Sequence, residues 1–493
     1  MDTIHIEVPD PPLPARTRRI DELPGPRPWP LVGNLLQLDR QRIHLRLEEW
    51  ERRYGPVYRL RLGRTSLAVI SDPNTITQVL RARPGTWRRW HKTEEVFKEV
   101  GIDGLLTAEG DNWRRQRRLV MSALDPEHLR QFFPSLAVVT ERLRRRWSQA
   151  ARDGGSFDLP DDLMRYTVDV TAGLAFGVDI NTVEQGYSEL HAHLDKALPR
   201  IFRRRAALFA SWRYLRLPAD RRLDRDVQAI HRVVRELIAA ARMRLAADPA
   251  RARKPPNLIE AMLVARDADG REMPEHEVVG NVFTTLLAGE DTTAHSLAWT
   301  LQLLYRHPEA WRAVVKEADA ALGEAALPPS LEQATTLPYI EGCIHEAMRL
   351  HPVAPISRAE ANEDTVVGDV AIPKGTSVWC LMRKGAIDEE RVEQAGEFRP
   401  ERWLSDPGAA AAPTAKRLSM PFGSGPRLCP GRYLAVLEMR MVIAMLARNF
   451  ELVEVALPDG RPLTEHTAIG MAAVGLRMRL APRRRRHAQA GEA

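Results

Sequence analysis

The sequence predicts a mainly α-helical protein, folded as a single large domain around one long central helix. Three observations point there. From Pro274 to Arg306 the pattern reads as one helix, opened by a proline near its start and closed by His307-Pro308, roughly 50 Å long at 1.5 Å per residue. Only a large domain hosts such a helix. No Gly/Ser linker, internal repeat or low-complexity block divides residues 40–480. One domain, 21–480, is therefore expected, preceded by an extension at 1–20 and followed by a basic flexible tail at 481–493. Finally, Pro430 and the apolar run from Tyr433 to Leu446 read as the first turn and body of a second buried helix.

Hydrophobic content of 44% with 28% charged residues is that of a soluble globular protein. No run of about 18 apolar residues occurs, so a membrane span is not expected. The N-terminus lacks the charged-then-apolar pattern of a signal peptide. Three cysteines, at 343, 380 and 429, form no disulfide framework, and a reducing cytoplasm is expected. The formal charge of +7 invites a nucleic-acid reading. Lysine, however, supplies only eight of the 72 basic residues, and no reading module accompanies the arginines, so nucleic-acid binding is excluded. Arg144-Arg145-Arg146 reads as a solvated helix face, and Arg483 to Arg486 as part of a frayed tail.

Within the long helix, Ala288-Gly289-Glu290-Asp291-Thr292-Thr293 contradicts plain core packing. Glycine, two acids and two threonines lower helix propensity or need polar partners, and sequence rules fail where function overrides them. Glu346 and Arg349 put opposite charges at i and i+3 on one face of a helix from about Pro338 to Leu350. Alone, that spacing is common on surfaces and worth little. Near the C-terminus, Phe422-Gly423-Ser424-Gly425-Pro426-Arg427-Leu428-Cys429-Pro430-Gly431 sets a cysteine in a glycine-punctuated turn before a helix. Gly423 and Gly425 let backbone pass close to a flat bulky object, and a helix N-terminus favours a thiolate. A lone cysteine is more often a small core residue, but the frame favours a metal ligand.

That frame resembles the haem-binding signature of the cytochrome P-450 family, Phe-x-x-Gly-x-Arg-x-Cys-x-Gly, with every fixed position filled. The resemblance spans roughly residues 20–480 and implies the family's fold, with small β-sheets near Val57–Ile70 and Val366–Cys380. Leu23 to Pro30 resembles the proline-rich hinge of eukaryotic members, and with no anchor before it the chain is expected to be a soluble bacterial protein of eukaryote-like type. The resemblance implies haem b, with Cys429 as proximal thiolate of the iron and Phe422, Gly423, Gly431 and Ala288 also contacting the cofactor. Arg427, Trp113 with Arg117, and Arg358 map onto propionate partners, where a guanidinium fork suits a carboxylate. Asp291-Thr292 maps onto the acid–alcohol pair beside the oxygen site, with Gly289 opening the groove. Glu346, Arg349 and Arg402 map onto a buried structural triad. Pro430 has no N–H, which leaves Gly431 and Arg432 as donors to the Cys429 sulfur.

The implied function is a monooxygenase that inserts one atom of O2 into an apolar small molecule, of terpenoid, polyketide or fatty-acid type, in secondary metabolism. The pocket is expected from Trp87–Leu106, Leu198–Leu217, Phe283, Leu287, Ala288, Val353–Ile356 and Ile469–Met471. Electrons are expected from a separate ferredoxin and its reductase, docking on Arg114, Arg115, Arg118 and Arg432. Arg203-Arg204-Arg205 reads as solvated, with attraction of a carboxylate as the alternative. Two rival functions share Cys429: a peroxide-using or isomerising haem-thiolate enzyme, and a non-catalytic haem sensor.

Overall fold

The computed structural model describes residues 17–483 apart from 122–123, 125, 188, 208, 268, 405–413 and 468–469. Ile469 and Arg484 to Arg486 lie outside the described residues. Helices dominate, and the longest, Glu275–Arg306, follows Pro274 and is capped at His307, as the prolines at its two ends dictate. Most of this helix is buried on all sides, which puts it at the centre of the domain.

The central helix bridges two apolar cores. Its C-terminal half, Ala294 to Leu304, packs with the helices Pro126–Asp153, Leu159–Phe176, Pro308–Leu322, Pro338–Leu350 and Arg432–Asn449. Its N-terminal half, Val278 to Leu287, packs with Glu189–Arg205, Pro218–Ala247 and Leu258–Val264. The polar segment 288–293 falls at the junction. A buried helix can carry glycine and acids there because neither core claims those positions.

A five-stranded sheet stands to one side, ordered Val57–Leu62, Thr65–Ile70, Ser377–Leu381, Ile356–Ala361, Trp87–Arg89. Thr65–Ile70 and Ser377–Leu381 run parallel and the other pairs antiparallel. Arg89, ending the edge strand, pairs with Ala359, so Arg89 and Arg358 come together at one end of the sheet. The proline-rich stretch wraps the first hairpin: Arg59 N–H donates to Pro24 O at 2.8 Å, and a Cβ at Gly25 would lie 2.3 Å from Arg59 O. Arg18–Arg19 adds a strand to the small sheet of Thr365–Val367 and Val370–Ile372, and Arg483 pairs with Asp319 at 2.6 Å, both just outside the expected 21–480 span.

The run at 144–146 is ion-paired rather than merely solvated. Arg144 and Arg145 bond Glu141, and Arg146 reaches the buried Asp162 at 2.7 Å. No helix among the described residues is long and apolar enough to cross a membrane.

Candidate active site

The Cys429 turn is held by its own backbone. Cys429 N–H donates to Phe422 O and Leu428 N–H to Gly425 O, each at 3.0 Å, around a 3-10 turn at Gly425–Arg427. Gly425 has φ +71, and a Cβ there would lie 2.7 Å from Leu80 O, so the turn can press on the Pro73–Arg81 helix only with glycine. Gly431 caps the Arg432–Asn449 helix, and its N–H favours the thiolate form of Cys429. This is one of the two donors expected despite Pro430; the Arg432 guanidinium instead reaches Cys429 O at 3.5 Å.

Burial pushes the Cys429 thiol up, while the Gly431 bond and the guanidiniums of Arg117, Arg432 and Arg89 oppose it. The other two cysteines differ. Cys343 and Cys380 are buried within apolar clusters, and burial raises the Cys380 thiol to about 12. Only Cys429 is partly exposed.

Above the turn lies a crowd of arginines. Arg427 covers the buried Trp113 ring at 4.7 Å and donates from Nη2 to Ala108 O at 3.0 Å and Glu109 at 2.5 Å. Its Nε and Nη1 are buried without a hydrogen-bond partner, as is Nε of Arg89. Arg117 donates to Leu428 O at 2.7 Å, tying the Trp113 helix to the cysteine turn. Arg358 sits between the rings of Trp379 at 4.1 Å and Trp90 at 5.1 Å.

Burial pushes Arg358 and Arg427 each down to about 9, and neighbouring guanidiniums add to it: Arg205 for Arg358, and Arg89, Arg83 and Arg117 for Arg427. Glu109 is the carboxylate among them, accepting also from Arg89 N–H at 3.1 Å. One carboxylate does not neutralise this cluster. Buried cations are ordinarily paired, so unsatisfied guanidinium N–H groups beside a cysteine fit a bound dianion with a soft metal, which is what haem propionates and iron supply.

The central helix leaves one face open. Ala288 and Thr292, one turn apart, are both exposed although flanked by buried residues, and Thr292 Oγ1 donates to Ala288 O at 2.6 Å. Gly289 does not open a groove as expected. A Cβ there would lie 2.4 Å from Thr171 Oγ1, so this glycine lets the Leu159–Phe176 helix cross closely.

Glu290 points away from Thr292 and pairs with His191 at 2.9 Å; His191 reaches Asp195 at 3.3 Å and stacks on Tyr187 at 4.1 Å. Burial, reinforced by Glu290 and Asp195 and opposed by His191, raises the Asp291 carboxyl to about 7. Burial alone would lower His191, but its bonds to Asp195 and Glu290 raise it to about 9.

The structure brings the Glu346 group together. Glu346 accepts from Arg349 Nη2 at 2.7 Å and Nε at 2.8 Å, Arg402 Nε at 2.9 Å and Trp403 Nε1 at 2.7 Å. The structure withdraws one of the four expected docking arginines, Arg115. Arg114 and Arg118 are exposed, whereas Arg115 is half-buried and ion-paired to the buried Glu277. Phe283 is fully buried in the second core.

Sequence reasoning missed Arg83, Arg89, Glu109, Glu290 and His191. No motif marks them; only the strand pairing of Arg89 and the helix crossing at Gly289 bring them in. For Glu290, position inside the anomalous segment was the available signal.

A model of the cytochrome P450 family matches residues 23–478. The chain is 28% identical over 477 residues to cytochrome P450 27C1 of Danio rerio, covering 89% of this chain and 82% of that protein. It is 28% identical over 453 residues to cytochrome P450 714C3 of Oryza sativa subsp. japonica, covering 86% and 85%. It is also 27% identical over 450 residues to the self-sufficient cytochrome P450 monooxygenase CYP505E1 of Aspergillus niger, covering 88% of this chain and 39% of that longer protein. The crystal structure of cytochrome P450DA heme domain superposes with a TM-score of 0.82 at 24% identity, covering 95% of this chain and 99% of that one, which is a likeness of fold.

Proposed function

This chain belongs to the cytochrome P450 family and is a haem-dependent monooxygenase, and from that premise we propose that it inserts one atom of O2 into an apolar small molecule with electrons from a separate ferredoxin and its reductase. The observation that carries the reading is the partly exposed Cys429 in its glycine turn beside buried guanidinium N–H groups without partners.

Bound haem supplies reductive activation of O2 and transfer of one oxygen atom. Cys429 would present its sulfur as the metal ligand, with the Gly431 N–H favouring the thiolate. Arg427, Arg117 and Arg358 would orient and neutralise the haem propionates, with Trp113 backing Arg427. Phe422, Gly423 and Gly431 would hold the haem through the cysteine turn, and Ala288 would contact it from the central helix. The Thr292 hydroxyl, free to leave the Ala288 carbonyl, holds a proton-bearing water. Asp291, poised near neutrality, passes protons inward from the His191–Glu290–Asp195 network.

Exposed Arg114, Arg118 and Tyr433, with the Arg432 guanidinium over the Tyr433 ring at 4.1 Å, support docking of an acidic carrier beside the Cys429 turn. Purified protein with NADPH alone should not turn over. With ferredoxin and reductase it should form oxygenated product at a rate that falls as salt rises. Turnover with NADPH alone would sink the separate-carrier reading, and product from peroxide without O2 or reductant would favour the peroxide-using rival.

A further inference from the structure

The run Arg203-Arg204-Arg205 at the end of the Glu189–Arg205 helix does not behave as three solvated charges. Arg203 is exposed. Arg204 pairs with Asp220 at 2.6 Å and covers the Trp212 ring at 5.2 Å. Arg205 turns inward. Its guanidinium lies 4.8 Å over the Phe202 ring, its Nε is buried without a hydrogen-bond partner, and it makes no ion pair among the described residues.

Contacts on either side fix where this end of the helix lies. Phe202 meets Phe97 edge-on at 5.8 Å. Lys92 donates to Ala207 O at 3.1 Å and covers the Trp90 ring at 5.5 Å, the ring that also carries Arg358. The helix end is therefore clasped against the Trp90–Arg358 wall. Burial and Arg89 push Arg205 down to about 10, which leaves it cationic at neutral pH. Arg205 repels Arg89 and Arg358, which places it beside these two guanidiniums.

Charge matching then has a remainder. Arg83, Arg89, Arg117, Arg205, Arg358 and Arg427 form a chain of mutually repelling guanidiniums, and Glu109 is the carboxylate that opposes the repulsion, at Arg83, Arg89 and Arg427. Two propionates and a Cys429 thiolate raise the negative groups to four against six cations. A buried guanidinium left unpaired costs more than one that is bonded, so the remainder favours a further anion.

We propose that the substrate is an apolar molecule bearing a carboxylate, and that Arg205 receives that carboxylate. The inference rests on the monooxygenase reading and adds a substrate class to it. A guanidinium fork matches the two carboxylate oxygens, and the Phe202 ring beneath Arg205 offers the apolar body its first contact. A neutral analogue leaves Arg205 buried and unpaired, which is why discrimination against it is expected to be large.

The test uses purified holoenzyme and straight-chain probes of several lengths, each as the carboxylic acid, the methyl ester, the primary alcohol and the alkyl phosphate. Binding is read by the haem spectral shift and independently by calorimetry. The best acid should bind wild type at least ~10-fold tighter than its ester or alcohol, about 1.4 kcal/mol. Arg205→Gln should abolish that preference, Arg205→Lys should keep part of it, and Arg204→Gln should match wild type.

Equal affinity for acids and alcohols in wild type, or an acid preference that survives Arg205→Gln, overturns the proposal. Tighter binding of the phosphates overturns the carboxylate assignment, and loss of haem from Arg205→Gln reassigns the residue to the propionates. If alcohols and esters are still oxygenated while the acid preference is absent, the substrate class falls and the monooxygenase reading stands. If no probe gives an O2-dependent product although the acids bind as expected, the monooxygenase reading falls instead.

Discussion

Glu346→Ala should cost the folded protein about 3–5 kcal/mol and most of its haem retention. Glu346 is fully buried and accepts hydrogen bonds from Arg349, Arg402 and Trp403 at 2.7–2.9 Å and from Arg399 N–H at 3.0 Å. Arg349, itself fully buried, also donates to Ala386 O, Ala395 O and Glu397 O. Removing the carboxylate strands that charge, since three neutral carbonyls orient a guanidinium without neutralising it. Glu346→Gln keeps the shape and part of the bonding and should lose less. By contrast Glu49→Ala, which breaks an exposed pair with Arg46, should cost under about 1 kcal/mol. Urea unfolding of the three variants provides the comparison, and a Glu346→Ala loss as small as that of Glu49→Ala would contradict the structural role of the triad.

The second large effect is catalytic. Thr292→Ala should still bind substrate and consume reductant, but divert much of it to hydrogen peroxide, because the water that carries the second proton loses its anchor. Asp291→Asn should slow turnover by at least ~10-fold, about 1.4 kcal/mol of barrier. The pH dependence carries the sign. Burial with Glu290 and Asp195 raises Asp291 to about 7 against the opposing His191, so the residue bears a proton below that pH and has lost it above. Proton-limited turnover should fall as pH rises through about 7, and that limb should be absent in Asp291→Asn. Product formed per NADPH, with peroxide assayed alongside, measures both variants. Wild-type coupling and an unchanged pH limb would remove the pair from the mechanism.

The long helix and the cysteine turn were legible because their causes are local. Pro274 and His307-Pro308 bound the one, and Gly423, Gly425 and Pro430 shape the other, whatever surrounds them. The Glu346 group was legible through its context rather than its i, i+3 spacing. Gly289 was misread because a glycine in a helix states only that something comes close, and the close neighbour is Thr171 rather than a ligand. Arg115 was misassigned for a related reason, since its partner Glu277 is 162 residues away. Arg89, Glu109 and His191 carry no local signature, and the arginine run 203–205 does not say which of its members turns inward. Their importance arises when strand pairing and helix crossing bury like charges together, and one-dimensional patterning does not encode that.

The identity of the metal ligand is tested most directly by the reduced carbon-monoxide spectrum of wild type beside Cys429→Ser, both loaded with haem. Wild type should show the red-shifted absorption of thiolate ligation, and Cys429→Ser should lose it, since Cys343 and Cys380 are buried in apolar clusters and cannot substitute. A thiolate-type spectrum that persists in Cys429→Ser would contradict the account at its base.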